Sequence, residues 1–359
     1  MDRRNFLRST GGAAAAAAAT LVSVAKAGAE GSSAVAAPAL ATGTKELRIA
    51  ISWPDNGKGC ADSARRLAQR IETATERRYR FTFVATTKQG IAAVKAGEAD
   101  AYHASEHDNL ESHRAFAYFA GLPGHNGLRA SHYEAWLLAG GGQALWDDLA
   151  GDFGIKALLA GHTLRSTGLW SAVPMTTLAE LAGRKIWAMG LARDVVRGIG
   201  AEPSTITAAE LSTALQSGRV FAAEGGGAIA SYGLGIFERH PHAVGAAINL
   251  SGTALSLGFT RTVWDAMSAG DQAVISAVCS AELHTVIAEE RAHRQLLLGP
   301  LLDGKPEPPR PFELTNAISR VSDGVVAHLA AHDARTQRIN ASFMAFRRAI
   351  GIKPHVLSA

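Results

Sequence analysis

From Glu46 onward, short runs of β-branched and aromatic residues alternate with stretches of helical period, and that order confines the chain to an α/β fold. Leu47 to Ser52 reads as a first strand, and Ala61 to Arg77 as a helix that aligns Ala64, Leu67, Ala68 and Ile71 on one face. Tyr79 to Ala85 alternates as a second strand, Gly90 to Ala96 is a short helix, and Ala99 to His103 is a third strand. Such a unit folds as a mostly parallel sheet with right-handed crossovers. Gly127 to Leu149 is helical, broken at Gly140-Gly141-Gly142, and Ile155 to Ala160 is a strand.

A second α/β series follows. Arg184 to Ala188 is a strand, Leu191 to Gly198 a helix and Pro203 to Ile206 extended. Thr207-Ala208-Ala209-Glu210 has the form of a capping box, opening a helix that ends before Gly218. Val220 to Ala223 is the next strand, with a glycine-started helix after it, and Ala246 to Leu250 and Ala254 to Phe259 are strands. Gln272 to Leu298 and Leu314 to Ile350 read as two long helices separated by the proline-rich link Pro306 to Pro311. With 359 residues the chain can build two cores. The expected architecture is two α/β lobes with a cleft between them and long C-terminal helices packing across both. Residues 45–165 with about 255–298 would form the first lobe, 166–254 the second, and 312–352 the C-terminal helix spanning them. Clefts of this kind hold ligands.

The first residues read as an address. Arg3-Arg4-Asn5-Phe6-Leu7-Arg8 precedes the weakly hydrophobic stretch Gly11 to Val24, and Ala25-Lys26-Ala27 is a small-x-small cleavage site. Residues 1–27 are thus expected to be an export signal, with a flexible leader over 28–44. That segment carries four basic residues and one acid, so removing it lowers the net charge from +4 to +1. No basic surplus remains for nucleic acid or an anionic membrane surface. With 47% hydrophobic and 19% charged residues, and no apolar run near ~20 residues after residue 28, the rest is expected to be soluble and not membrane-embedded. Cys60 and Cys279 are expected to be free, buried thiols.

Enzyme signatures are weak. Ser231 lies in Ile229-Ala230-Ser231-Tyr232-Gly233, which lacks the first glycine of a nucleophile elbow. His103 and His107 could be drawn as a metal pair, but no further ligand set surrounds them. His240-Pro241-His242 reads as a solvated loop. Glu224 to Ala230 contains a glycine turn that satisfies G-x-G-x-x-A, yet no acid follows near twenty residues on, which speaks against a dinucleotide. The turn can still offer backbone N–H groups to a small anion, or it can be a tight packing turn. No catalytic residues, cofactor or metal are expected.

Several stretches, in order, resemble the substrate-binding subunits of tripartite ATP-independent periplasmic (TRAP) transporters. They include Ser52-Trp53-Pro54, Val94-Lys95-Ala96-Gly97 and Trp136 leading to Gly140-Gly141-Gly142-Gln143-Ala144-Leu145-Trp146. Gly161-His162-Thr163, Gly168-Leu169-Trp170, Leu178 to Ile186, Ala214 to Gly218 and Ala222-Ala223-Glu224 continue the series. The glycine-rich run looks most like the branch labelled mannitol/chloroaromatic, and the paired arginines resemble a twin-arginine signal. The resemblance implies a type II-like periplasmic binding protein that closes on a small organic acid or polar aromatic compound and docks on the membrane subunits of such a transporter. A divergent periplasmic sensor or receptor subunit is the alternative. Three departures bear on the ligand. Trp187 stands where the family places a carboxylate-pairing arginine, Ser166 where it places a glutamine, and Gly225 where it places a tryptophan. In some members that glutamine, the glutamate matched by Glu224 and that tryptophan help hold a metal. Trp187 could fill volume vacated at Gly225, with Arg165 or Arg193 supplying the cation. The expected ligand-binding residues are Trp53, His103, Arg165, Trp170, Trp187, Arg193, Glu224 and Gly225.

Overall fold

Ten strands form among the described residues: β1 Lys45–Ile51, β2 Tyr79–Val84, β3 Ala101–Ala104, β4 Ile155–His162, β5 Trp170–Ser171, β6 Lys185–Trp187, β7 Glu202–Pro203, β8 Ala222–Ala223, β9 His242–Ala243 and β10 Ala254–Thr260. The computed structural model describes residues 43–304 and 311–352. The expected signal at 1–27, nearly all of the leader at 28–44 and nearly all of the link at 306–311 lie outside them. The strands make two five-stranded sheets, ordered β2-β1-β3-β10-β4 and β7-β6-β8-β5-β9.

The first sheet is mixed, where a mostly parallel one was expected. β1 pairs in parallel with β2 and β3, but β10 runs antiparallel to both β3 and β4. The reason is connectivity: β10 comes back from the second sheet and is not reached by a strand–helix–strand crossover. The expected strand at Ala246 to Leu250 does not form, and the edge of the second sheet is β9 instead. The 246–249 backbone is occupied otherwise. Ala246 O accepts from Leu169 N at 2.7 Å, and the Ile248 and Asn249 N–H groups donate to Glu224. His240 is also not solvated: it is 2% exposed, its Nε2 3.2 Å from Val220 O.

Helices tie the two layers together. The Ala269–Leu298 helix puts Ile275 and Cys279 into the first sheet's core and Leu298 into a cluster of the second lobe. Inside it the fully buried Glu282 accepts from Ser63 Oγ at 2.7 Å and from Arg66 Nη2 at 2.6 Å, clamping the Gly59–Ala74 helix. Removing one side of so buried a pair costs about 3–5 kcal/mol. The expected single C-terminal helix is two, Phe312–Ala330 and Ala334–Ala349, because the Asp333 side chain caps the second by accepting from Thr336 N at 2.8 Å. Leu314 and Ile318 of the first pack with the second sheet's core, whereas Val326 and Leu329 pack with the first lobe's. Phe119 stacks on both Trp136 and Trp146, at 5.5 and 5.3 Å, so those two tryptophans of the glycine-rich run are core. Both cysteines are free; Cys279 is buried, but Cys60 is only half-buried.

Candidate functional site

Polar side chains converge just past the C-terminal ends of β1 and β3. Trp53 follows β1 and is 4% exposed; its indole N–H donates to His103 Nδ1 at 3.1 Å. His103, in β3, is fully buried, and its Nε2 has no partner. Burial lowers its pKa to about 4, so the ring is neutral at pH 7. Because Nδ1 accepts, the single ring proton sits on Nε2, and His103 presents an unused N–H donor.

The next turn adds two more groups. Ser105 Oγ accepts from His107 N at 3.2 Å and caps the 3₁₀ turn Glu106–Asn109. That turn is anchored from below. Glu106 is fully buried and accepts from Tyr102 Oη at 3.0 Å, Asn109 Nδ2 at 2.6 Å and Ser256 Oγ at 2.7 Å. While every polar atom of this anchor is used, neither ring nitrogen of His107 has a partner, and neither has Asp108 Oδ2. Burial lowers the His107 pKa to about 3, and the nearby Arg193 charge adds to it. Burial raises Asp108 to about 6, against the pull of the nearby Ser52 hydroxyl and of the Arg193 charge.

The second lobe meets this cluster through the turn after β6. A Cβ at Gly190 would overlap the His107 ring, so only glycine lets the ring lie there, and its φ of +60° suits glycine as well. Arg193, at the start of the Ala192–Gly198 helix, is half-buried and its Nε donates to Ala188 O at 3.3 Å. On the same helix Asp194 pairs with Arg114 of the first lobe at 2.6 Å, and Asn56 Nδ2 donates to Gly233 O at 2.8 Å. The lobes therefore touch around a set of four unpartnered buried polar atoms and one cation. Unpaired buried polar atoms cost about 1–3 kcal/mol each, which marks this group of four as a candidate binding site.

The other expected site residues lie elsewhere. Trp170 and Trp187, 1% and 2% exposed, share one hydrophobic cluster, with indole N–H groups donating to Thr167 Oγ1 at 2.9 Å and Ile206 O at 3.1 Å. Gly225 leaves no vacated volume for Trp187 to fill, since a Cβ there would lie 2.8 Å from Ile236 Cδ1 and 2.9 Å from the Ser231 Cα. Arg165 is exposed, and its carbonyl accepts from Arg294 Nη1 at 3.2 Å. The glycine turn already has its anion. Glu290 of the long helix accepts from Ala228 N at 2.7 Å and Ile229 N at 3.0 Å. His107, Asp108 and Ser52 were not singled out as ligand residues. The signal was a His-Asp pair directly after the third strand's turn, which the metal-pair reading of His103 and His107 obscured.

Comparison with known proteins follows the same lines. The profile of "Bacterial extracellular solute-binding protein, family 7" matches residues 62–296. A monocarboxylate 2-oxoacid-binding periplasmic protein of Nostoc sp. is 25% identical over 309 residues, 84% of each chain. A TRAP transporter solute-binding protein of Bordetella bronchiseptica, holding copurified calcium and picolinate, superposes with a TM-score of 0.77 at 21% identity, covering 86% of this chain and 93% of that one. One from Pseudoalteromonas atlantica with bound sodium and pyruvate gives 0.75 at 22% identity, covering 86% and 95%.

Among the described residues no group of three or more His, Cys, Asp or Glu side chains is placed to hold a metal ion. Glu224, the carboxylate that the resemblance would assign to it, is 2% exposed and accepts from Ser166 Oγ at 2.5 Å, Ile248 N at 3.1 Å and Asn249 N at 3.1 Å. Burial raises its pKa, and those three donors pull it back. A cation would have to displace hydrogen bonds that already satisfy the carboxylate. Glu224 thus fastens the loop between β9 and β10 to the end of β8.

Proposed function

The chain belongs to family 7 of the bacterial extracellular solute-binding proteins, and on that premise we propose that it captures a small organic acid between its lobes. The observation that carries the ligand class is the buried set of His103 Nε2, His107 and Asp108 Oδ2 beside Arg193. Arg193 offers the cation for a carboxylate, His103 the first neutral donor, and Trp53 an apolar wall. The acid ligands of the relatives, picolinate, pyruvate and 2-oxoacids, support this class, as does a polar aromatic acid as an alternative within it.

The bound form is delivered to the membrane subunits of a TRAP transporter, and the protein works in the periplasm after export by the twin-arginine route. Support for the partner comes from the family and the structural relatives; support for the route is the Arg3-Arg4 motif alone. Among the described residues no helix is long and apolar enough to cross a membrane. The family match and acid-binding relatives favour solute capture over the receptor reading. The test is thermal unfolding of the signal-free protein against carboxylates, polyols, sugars and aromatic acids. A ligand at 100 times its Kd adds about 2.7 kcal/mol, a shift of several degrees. A shift confined to carboxylates supports the proposal; a shift confined to polyols or sugars contradicts it.

A further inference from the structure

The buried polar set at the lobe junction holds both donors and an acceptor, and that mixture says more about the ligand than its charge. His103 Nε2 is a donor, since Nδ1 receives the Trp53 indole N–H. Arg193 is a second donor, and its charge reaches both His107 and Asp108. Asp108 Oδ2, by contrast, can only accept when ionised, and it is buried without a partner. No Lys or Arg side chain pairs with Asp108 within ion-pair distance among the described residues, and although Ser52 lies close enough to stabilise the carboxylate, Oδ2 itself has no partner.

We infer that the ligand is a carboxylic acid carrying a hydrogen-bond donor next to its carboxylate, such as a 2-hydroxy acid, an amino acid or a lactam acid, and that Asp108 selects for that donor. This rests on the organic-acid reading of the same site. With the carboxylate held by Arg193 and His103, a neighbouring O–H or N–H satisfies Asp108. A 2-oxo acid has only acceptors there, so it leaves the Asp108 oxygen unpaired and sets a carbonyl lone pair against it. The selection would separate this chain from the 2-oxoacid-binding relative, which its low identity permits.

The experiment is calorimetric titration with matched pairs, pyruvate with lactate and phenylglyoxylate with mandelate, and with alanine beside the first pair. Wild type and Asp108→Asn are compared, each checked for an intact melt. The donor-bearing member of a pair is expected to bind about 10- to 100-fold more tightly to wild type. Asp108→Asn, whose amide can donate to a keto oxygen, should shrink that ratio towards one. Equal or tighter binding of the 2-oxo acids by wild type overturns the inference while leaving the organic-acid reading in place. An unchanged ratio in the variant overturns the role of Asp108. If no member of any pair binds, the organic-acid reading fails and this inference with it.

Discussion

Three histidines are kept neutral by burial, and their titration sets the pH dependence of stability. The pKa values of His103, His107 and His162 are lowered to about 4, 3 and 4. Unfolded, each would take up a proton near about 6.5. Below that pH the unfolded chain therefore binds more protons than the folded one, and stability falls as pH falls. Each histidine contributes up to ~1.4 kcal/mol per pH unit. Asp108, raised to about 6, opposes this between about 4 and 6, because there the folded state holds a proton that the unfolded chain lacks, and Glu106 and Glu224, also raised by burial, act in the same direction at the acid end. Denaturation midpoints should decline from pH 7 to pH 5; a flat or rising series would contradict the burial of these rings in neutral form. Of the residues proposed to hold the ligand, Trp53, His103 and Arg193 were candidates on sequence alone, since strand ends and helix starts point at clefts. His107 and Asp108 were not, because being unpartnered is a property of surroundings that no spacing encodes.

At the scale of elements, the glycine turn shows how one motif can carry the reverse of its usual meaning. Backbone N–H groups at Ala228 and Ile229 attract an anion, as the turn's composition suggests, but the anion is Glu290 of the long helix. Glu290→Ala strands two donors and frees the Ala228–Gly233 helix from its clamp, so a loss of about 1.5–3 kcal/mol is expected in urea unfolding. A loss below about 0.5 kcal/mol, the range of a neutral surface change, would show that the contact holds nothing. Long elements were readable because periodicity needs length. The Gly59–Ala74 helix and the capping box at Thr207 appear where expected, with Glu210 Oε2 accepting from Thr207 N at 2.9 Å. Strands of two residues such as β5 and β9 have no period to read, and the 3₁₀ turns between Glu106 and Asn126 lack a helical one. The break at Asp333 was missed because apolar spacing runs on across it.

The whole molecule joins two sheets by three long-range devices: β10 returning to the first sheet, the Ala269–Leu298 helix and the Phe312–Ala330 helix. The order of elements made two lobes legible, while the antiparallel return of β10 depends on a partner about 150 residues away, between Ser256 and Ala104, which no local pattern reports. Between the lobes the same packing that seats His107 against Gly190 leaves polar atoms unpartnered. On the proposed function, Arg193 anchors an acid at this junction. Calorimetric titration of the strongest carboxylate with Arg193→Gln and Arg165→Gln, beside wild type, tests it most directly. Arg193→Gln is expected to lose about 2–5 kcal/mol, roughly 30-fold or more in Kd, while the exposed Arg165→Gln stays within about twofold. A large loss with Arg165→Gln and none with Arg193→Gln would contradict it.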